Sequence, residues 1–433
     1  MKYYSTNKNA PVVNFREATI AGQAPDKGLY FPEMIPHLDA GLLRDIESHS
    51  NEEIAFRVIR PFVGETIPDE SLYEIVSQTV NFPIPLVPLN ENIFSLELFH
   101  GPTLAFKDVG ARFMSRCLGH FVKDAGKKVT VLVATSGDTG GAVADGFYNV
   151  EGVEVVILYP SGKVSPVQEK QLTTHGNNIH ALEVSGTFDD CQAMVKAAFA
   201  DDDIRSRLFL TSANSINVAR WLPQQFYYFF AYKQWPDKAK PPVMAVPSGN
   251  FGNICAGMLA MESGLPIKHF IAACNVNDIA SHYLATGLLQ PKQAIPTLSN
   301  AMDVGNPSNF VRVLELFGHN HDAIMKKLSA ATISDEETSS TISRLYNEMN
   351  YLADPHGAVG FLALENYLHS RPGCKGIFLE TAHPVKFPAA VGEATGKEVH
   401  WPETVNAVMQ KEKNSIAMEP DTRFLKEYLL YHH

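Results

Sequence analysis

Lys107 closes a run, Leu98-Phe99-His100-Gly101-Pro102-Thr103-Leu104-Ala105-Phe106, that is otherwise mostly apolar or turn-forming, and Asp108 follows at once. An ammonium held among such neighbours is costly to keep charged, so burial lowers its pKa and yields an amine that attacks carbonyls. The ordinary alternative is a lysine that lays its stem on apolar surface and keeps its head in water. Two other stretches bear on the choice. Thr135-Ser136-Gly137-Asp138-Thr139-Gly140 and Ser248-Gly249-Asn250-Phe251-Gly252 each join an apolar strand-like run to the start of an expected helix. Such a junction offers unpaired N–H groups and the positive end of a helix dipole, which bind an anion without a charged side chain. Helix capping alone would also favour Ser, Asn and Asp there.

Several familiar chemistries are excluded by spacing. Neither loop reads G-x-G-x-x-G or ends in Gly-Lys-Ser/Thr, so dinucleotide and P-loop fingerprints are absent. The serines also miss the G-x-S-x-G elbow. A lysine in an apolar setting, two uncharged anion cradles and Thr381 at a strand end remain. That set suits pyridoxal phosphate: the lysine for its aldehyde, one cradle for its phosphate, the other for a substrate carboxylate.

The elements that must position these residues alternate. Apolar strands are expected at 95–99, 129–134, 153–159, 179–184, 243–246, 268–274 and 376–380, the last read as the final core strand, while 209–214 leads into a helical stretch from Ser215. Continuous apolar runs such as Val129 to Ala134 are typical of parallel sheets covered on both faces. Helices are expected between them, from Val109 after the Lys107 loop, from Ala142 after the first cradle and from Ile254 after the second. Alternation of this kind predicts a doubly wound α/β architecture. Residues 1–82 read as a separate, α-rich unit with helices capped at Asn51 and starting at Asp69, and 83–433 as the catalytic region. The Pro-, Asn- and Ser-rich stretch up to Asn309 is loop-heavy, and such loops in compact proteins usually serve function.

Composition narrows the class. The 433 residues are 45% hydrophobic and 19% charged, as in a packed globular protein of two or three units. A formal net charge of −11 argues against nucleic acid or an anionic membrane as partner. Five scattered cysteines without C-x-x-C spacing suggest neither disulfides nor a metal site, and the chain lacks a signal-like or membrane-spanning run. A soluble cytoplasmic protein is expected. Gly318-His319-Asn320-His321 reads as a solvated loop and His432-His433 as a tail.

The chain resembles the threonine synthase family, within the tryptophan-synthase-β-like (fold type II) pyridoxal phosphate enzymes. The resemblance is carried by HGPTLAFKD at 100–108, ATSGDTGGA at 134–142, TSANSIN at 211–217, SGNFGN at 248–253, LSNAMDVGNPSN at 298–309 and TAHPVKF at 381–387, in that order, with KGLYFP in the N-terminal unit. It implies mostly parallel sheets in two lobes with the active site between them. By the same resemblance Lys107 holds the cofactor as a Schiff base and, once released, moves protons. Ser248, Gly249, Asn250, Phe251 and Gly252 cradle its phosphate, and Thr381 faces its ring nitrogen. Thr135, Ser136, Gly137, Asp138 and Thr139 hold the substrate carboxylate. Asp138 stands where related families have asparagine facing the cofactor's phenolic oxygen, and two anionic oxygens there would repel unless a proton is shared. The family converts O-phospho-L-homoserine and water to L-threonine and phosphate by γ-elimination and β-hydration. Lys163, preferred over Arg112, Arg220 and Lys386, and Asn214, with Asn217 and Ser165, are the candidates for meeting the leaving phosphate. His100 and His383, within these motifs, read equally as orienting residues or as satisfied core histidines. A phospholyase releasing 2-oxobutyrate is the alternative within the fold. A monomer is carried over from the branch the chain resembles.

Overall fold

The computed structural model describes residues 1–123 and 128–431. The tail reading of His432-His433 lies outside them. Chain order and space are interleaved. Strands Leu328–Thr332, His269–Cys274, Val243–Pro247, Gly376–Glu380, Ile93–Glu97 and Leu86–Pro88 lie side by side in that order as one six-stranded sheet. All its pairs are parallel except the last, where Leu86–Pro88 runs against Ile93–Glu97. A second, five-stranded sheet has the order Ile416–Met418, Ile179–Val184, Val153–Pro160, Val129–Ala134, Phe209–Thr211, parallel throughout. These are the two expected lobes. Gly376–Glu380 is not the last strand, however. The chain returns to the other lobe and adds Ile416–Met418 at its edge, a segment too short and too exposed to show a strand pattern.

Each sheet reverses its strand order at one place. In the six-stranded sheet the order runs from Val243–Pro247 through His269–Cys274 to Leu328–Thr332, then returns to Gly376–Glu380 on the other flank of Val243–Pro247. In the five-stranded sheet the reversal lies between Val129–Ala134 and Phe209–Thr211. Ligands of such sheets bind beyond the carboxyl ends of the strands at these reversals. The loops there are 248–252 and Thr381 in one sheet, and 135–140 and 212–217 in the other.

The N-terminal residues contain more than helices. Lys2–Ser5, Val13–Asn14 and Tyr30–Pro32 form a three-stranded antiparallel sheet beside the helices Asn51–Val63 and Asp69–Thr79. Nor does this part stand apart energetically. One apolar cluster runs from Tyr3 and Phe15 through Phe113, Trp221 and Val246, and the Phe15 ring lies 6.4 Å from that of Phe113 and 6.1 Å from that of Phe121. Ser50, not Asn51, caps the helix Asn51–Val63, its hydroxyl accepting from the Glu53 N–H.

Candidate active site

Lys107 sits on the first turn of the helix Lys107–Val122 rather than in the loop before it. The preceding segment is folded against the end of the six-stranded sheet. The Phe106 N–H donates to the Thr381 carbonyl (2.8 Å), the His383 N–H to the Leu104 carbonyl (3.0 Å), and Ala105 bridges Ala382. Lys107 is thereby brought to Thr381. Asp108 shapes this turn: buried, it accepts from the Thr103 N–H (2.9 Å) and from the Thr103 hydroxyl. Burial pushes its carboxyl up to about 6, against those two hydrogen bonds. It also stands in the helix's first turn, where an acid is favourable.

Among the described residues the Lys107 amine has no hydrogen bond or ion pair, and it lies 5.7 Å from the Phe106 ring centroid. The residue as a whole is half-buried, as expected of a side chain that lines a cleft. Enclosure lowers its pKa. The Asp138 charge raises it in part, and Lys386 and Arg220 lower it further. A more neutral amine is the outcome, as nucleophilic chemistry at a carbonyl needs.

Asp138 begins the helix Asp138–Phe147, four residues earlier than the sequence suggested. It is 6% exposed, and its Oδ1 is 2.7 Å from the Nζ of Lys386, which is 0% exposed. Gln168 donates to the same oxygen (2.9 Å), and Lys386 donates to the Thr103 carbonyl (2.7 Å). Burial alone would raise the Asp138 pKa, but the Lys386 and Lys107 charges outweigh it and hold the carboxyl well below the usual range. The pair is net neutral, as a single amide would be. Were a phenolic oxygen to lie beside it, the repulsion expected of a lone carboxylate would be offset.

The loop before Asp138 is largely self-satisfied. The Thr135 hydroxyl accepts from the N–H groups of Gly137 (3.0 Å) and Gly140 (2.8 Å). Gly137 has φ +136°, and a Cβ there would meet Gln168 at 2.5 Å, so only glycine fits. Ser136 is exposed and Thr139 half-buried, and neither hydroxyl has a partner among the described residues.

The second cradle is built differently. Ser248 spends its N–H on the Ala273 carbonyl and its hydroxyl on the Val246 carbonyl, so it makes the turn rather than facing a ligand. Phe251 takes the left-handed conformation, φ +63°, at the start of the helix Gly252–Glu262. Among the described residues no acceptor meets the N–H groups of Gly249, Asn250, Phe251 or Gly252. Asn250 turns its side chain away, donating to the Ser215 hydroxyl (3.1 Å) and accepting from the Ser308 N–H (2.6 Å). The loop-heavy stretch up to Asn309 is thus the back wall of the cradle. A Cβ on Gly249 would lie 2.6 Å from the Met302 Cα.

Thr381, 5% exposed, has a hydroxyl without a protein partner among the described residues. A free amine, a free hydroxyl and a row of free N–H groups at a helix start therefore converge where the six-stranded sheet reverses. They fit a group that carries an aldehyde, a ring nitrogen and a phosphate.

The other candidates separate. Arg112 is turned to the Gln78 carbonyl (2.6 Å) and Asn81 (3.0 Å), tying the N-terminal unit down. Asn217 and Ser165 cap helices. Arg220 is buried, donates to the Ala213 carbonyl (2.5 Å) and leaves its Nε unpaired. Lys163 is exposed in the loop after Val153–Pro160, and Asn214 is half-buried with no partner for its amide among the described residues. His383 accepts from the Val385 N–H (3.1 Å); burial first, then the neighbouring His100, lowers its pKa to about 4. His100 pairs with Glu97 (2.7 Å). Sequence reasoning missed Gln168 and a buried group in which Glu380 accepts from the Asp354 N–H and Asp354 from His356 (both 2.6 Å). Nothing local marks these residues; only the fold assembles them.

Comparison with known proteins agrees over the whole chain. Residues 78–376 match the family of pyridoxal-phosphate dependent enzymes, 2–80 the threonine synthase N terminus and 357–429 the threonine synthase C-terminal family. A threonine synthase of Haemophilus influenzae is 43% identical over 431 residues, 99% of this chain and 100% of that one. The crystal structure of threonine synthase from Escherichia coli superposes with a TM-score of 0.92 at 42% identity, covering 100% of both chains. The PLP-bound threonine synthase from Brucella melitensis does so with 0.94 at 37% identity, covering 100% of this chain and 99% of that one. The chain belongs to the threonine synthase family.

Proposed function

We infer that the enzyme converts O-phospho-L-homoserine and water to L-threonine and phosphate, as the last step of threonine biosynthesis. What carries the reading is the unpaired amine of Lys107 beside the free hydroxyl of Thr381 and the open N–H row of 249–252, in a family member matched along its full length. Lys107 would hold the cofactor, with Gly249, Asn250, Phe251 and Gly252 at its phosphate and Thr381 at its ring nitrogen. Bound pyridoxal phosphate supplies an electron sink that makes hydrogens on the substrate's Cα and Cβ removable. The Lys107 amine would take and return protons at those carbons as general base and acid. The Ser136 and Thr139 hydroxyls orient the α-carboxylate. Asn214 and Lys163 meet the departing phosphate at the rim, where an exposed lysine with no ion pair within 4 Å among the described residues is available to a dianion. Asp138 with Lys386 forms a pair that adds no net charge beside Lys107.

The division into 1–82 and 83–433, a monomeric state and a cytoplasmic setting belong to the same reading. All five cysteines are free, and no described helix is long and apolar enough to cross a membrane. Incubation with O-phospho-L-homoserine, followed by chiral analysis, tests the reaction. L-Threonine and phosphate in equal amounts are expected. 2-Oxobutyrate as the main product would overturn the reading in favour of a phospholyase.

A further inference from the structure

Arg312 is 0% exposed, and no carboxylate pairs with it among the described residues. Its guanidinium ends entirely on neutral oxygens. Nε and Nη2 donate to the Tyr30 carbonyl (3.3 and 3.1 Å), Nη2 also to the Ile216 carbonyl (2.7 Å), and Nη1 to the Ser215 carbonyl (3.1 Å) and Asn309 Oδ1 (2.7 Å). The Trp221 ring covers it at 4.4 Å. A buried charge without a counterion is expensive, and an apolar side chain of similar size would pack there at lower cost. The groups it gathers are therefore informative.

They come from three separate parts of the chain. Tyr30 opens the N-terminal strand Tyr30–Pro32. Ser215 and Ile216 lie in the loop that follows Phe209–Thr211, and Asn309 ends the wall behind the second cradle. Ser215 and Asn309 in turn grip that cradle. The Ser215 hydroxyl accepts from Asn250 Nδ2 (3.1 Å) and Asn309 Nδ2 (3.0 Å), while the Asn309 N–H donates to the Asn250 carbonyl (3.2 Å). Two links thus join Arg312 to the loop whose N–H groups stand open.

We propose that Arg312 is a positioning residue for the cofactor phosphate: it fixes Ser215 and Asn309, these fix Asn250, and the N–H groups of 249–252 are held convergent. Through Tyr30 the same guanidinium makes cradle geometry depend on the N-terminal unit, giving that unit a role in cofactor binding. The inference rests on reading 249–252 as the phosphate site. Lysine cannot replace Arg312, because one ammonium cannot reach oxygens spread around a planar fork.

The test compares pyridoxal phosphate with pyridoxal, which lacks the phosphate, by equilibrium binding to cofactor-free full-length protein. Arg312→Lys should weaken pyridoxal phosphate about tenfold or more, the loss of at least one charge-assisted hydrogen bond's worth of order, and leave pyridoxal within about twofold. Ser215→Ala should act in the same direction, and the double variant should lose less than the product of the two. Equal losses for both ligands, or none, would overturn the inference. Should Arg312→Lys not fold, Ser215→Ala decides alone, an unchanged ratio being the contrary result. Gly249→Ala separates the two layers. If it leaves the ratio unchanged, the phosphate-site reading fails and the inference with it. If it collapses the ratio while Arg312→Lys and Ser215→Ala do not, only the inference fails.

Discussion

The two strand-end loops beside Lys107 look alike in sequence and are built in opposite ways. The loop 135–140 closes on itself: Thr135 takes the N–H groups of Gly137 and Gly140, and a buried ion pair, Asp138 with Lys386, anchors its end. The loop 248–252 holds no charge and leaves its N–H groups open, its one long polar side chain, Asn250, being turned to Ser215 and Ser308. A resident phosphate calls for the open kind, since several donors must meet one dianion permanently. A carboxylate that arrives and leaves can be served by the closed kind, with two hydroxyls and few free N–H groups. Their shared content of glycine and small polar residues does not distinguish the loops. Their surroundings do.

The largest expected effect falls on the residue between them. Lys107→Ala should lower turnover by more than about 10³-fold and abolish the cofactor's visible colour, with the thermal midpoint nearly unchanged. Retained colour and turnover would remove the reason for comparing the loops at all. On the closed side, Lys386→Met strands the Asp138 carboxylate in the interior. It should cost about 3–5 kcal/mol in denaturant melts, and Lys386→Met with Asp138→Asn should recover most of that. On the open side, Gly249→Ala meets the Met302 backbone and should cost about 1–3 kcal/mol. Its main effect should be faster cofactor loss on dialysis, which Ser248→Ala should not reproduce. The smallest effect concerns acid. The Asp138 carboxyl is held low by Lys386 and Lys107, so its stabilisation is complete above the ordinary value of about 3.9 and is lost only as pH falls through the depressed one. Asp138→Asn combined with Lys386→Met, which strands neither charge, should therefore flatten the melting profile below about pH 4 and leave its shape between pH 5 and 8 unchanged. A change confined to neutral pH would contradict the pairing.

Much of this was legible in the chain itself, and the failures have physical reasons. The parallel strands announce themselves because burial on both faces makes them continuous apolar runs. Both lobes, the three polar loops and Thr381 followed from that pattern and from the family motifs. Helix starts were placed late at Lys107 and Asp138, because Gly, Thr and Asp near a helix start read as loop. The N-terminal sheet was missed since strands of four, two and three residues show no alternation. The sequence presents Lys386 only as a cation for substrate, whereas its partner Asp138 stands at the start of a helix in the other lobe. Pairings of that kind, like Arg312 with Tyr30, exist only once distant segments have docked.

The central claim is that Lys107, not the more deeply buried Lys386, is the lysine that holds the cofactor. Borohydride reduction of the enzyme with its cofactor, followed by peptide mass mapping, tests it most directly. The account predicts the added mass on the peptide containing Lys107 alone; the label on Lys386, or on neither, would contradict it.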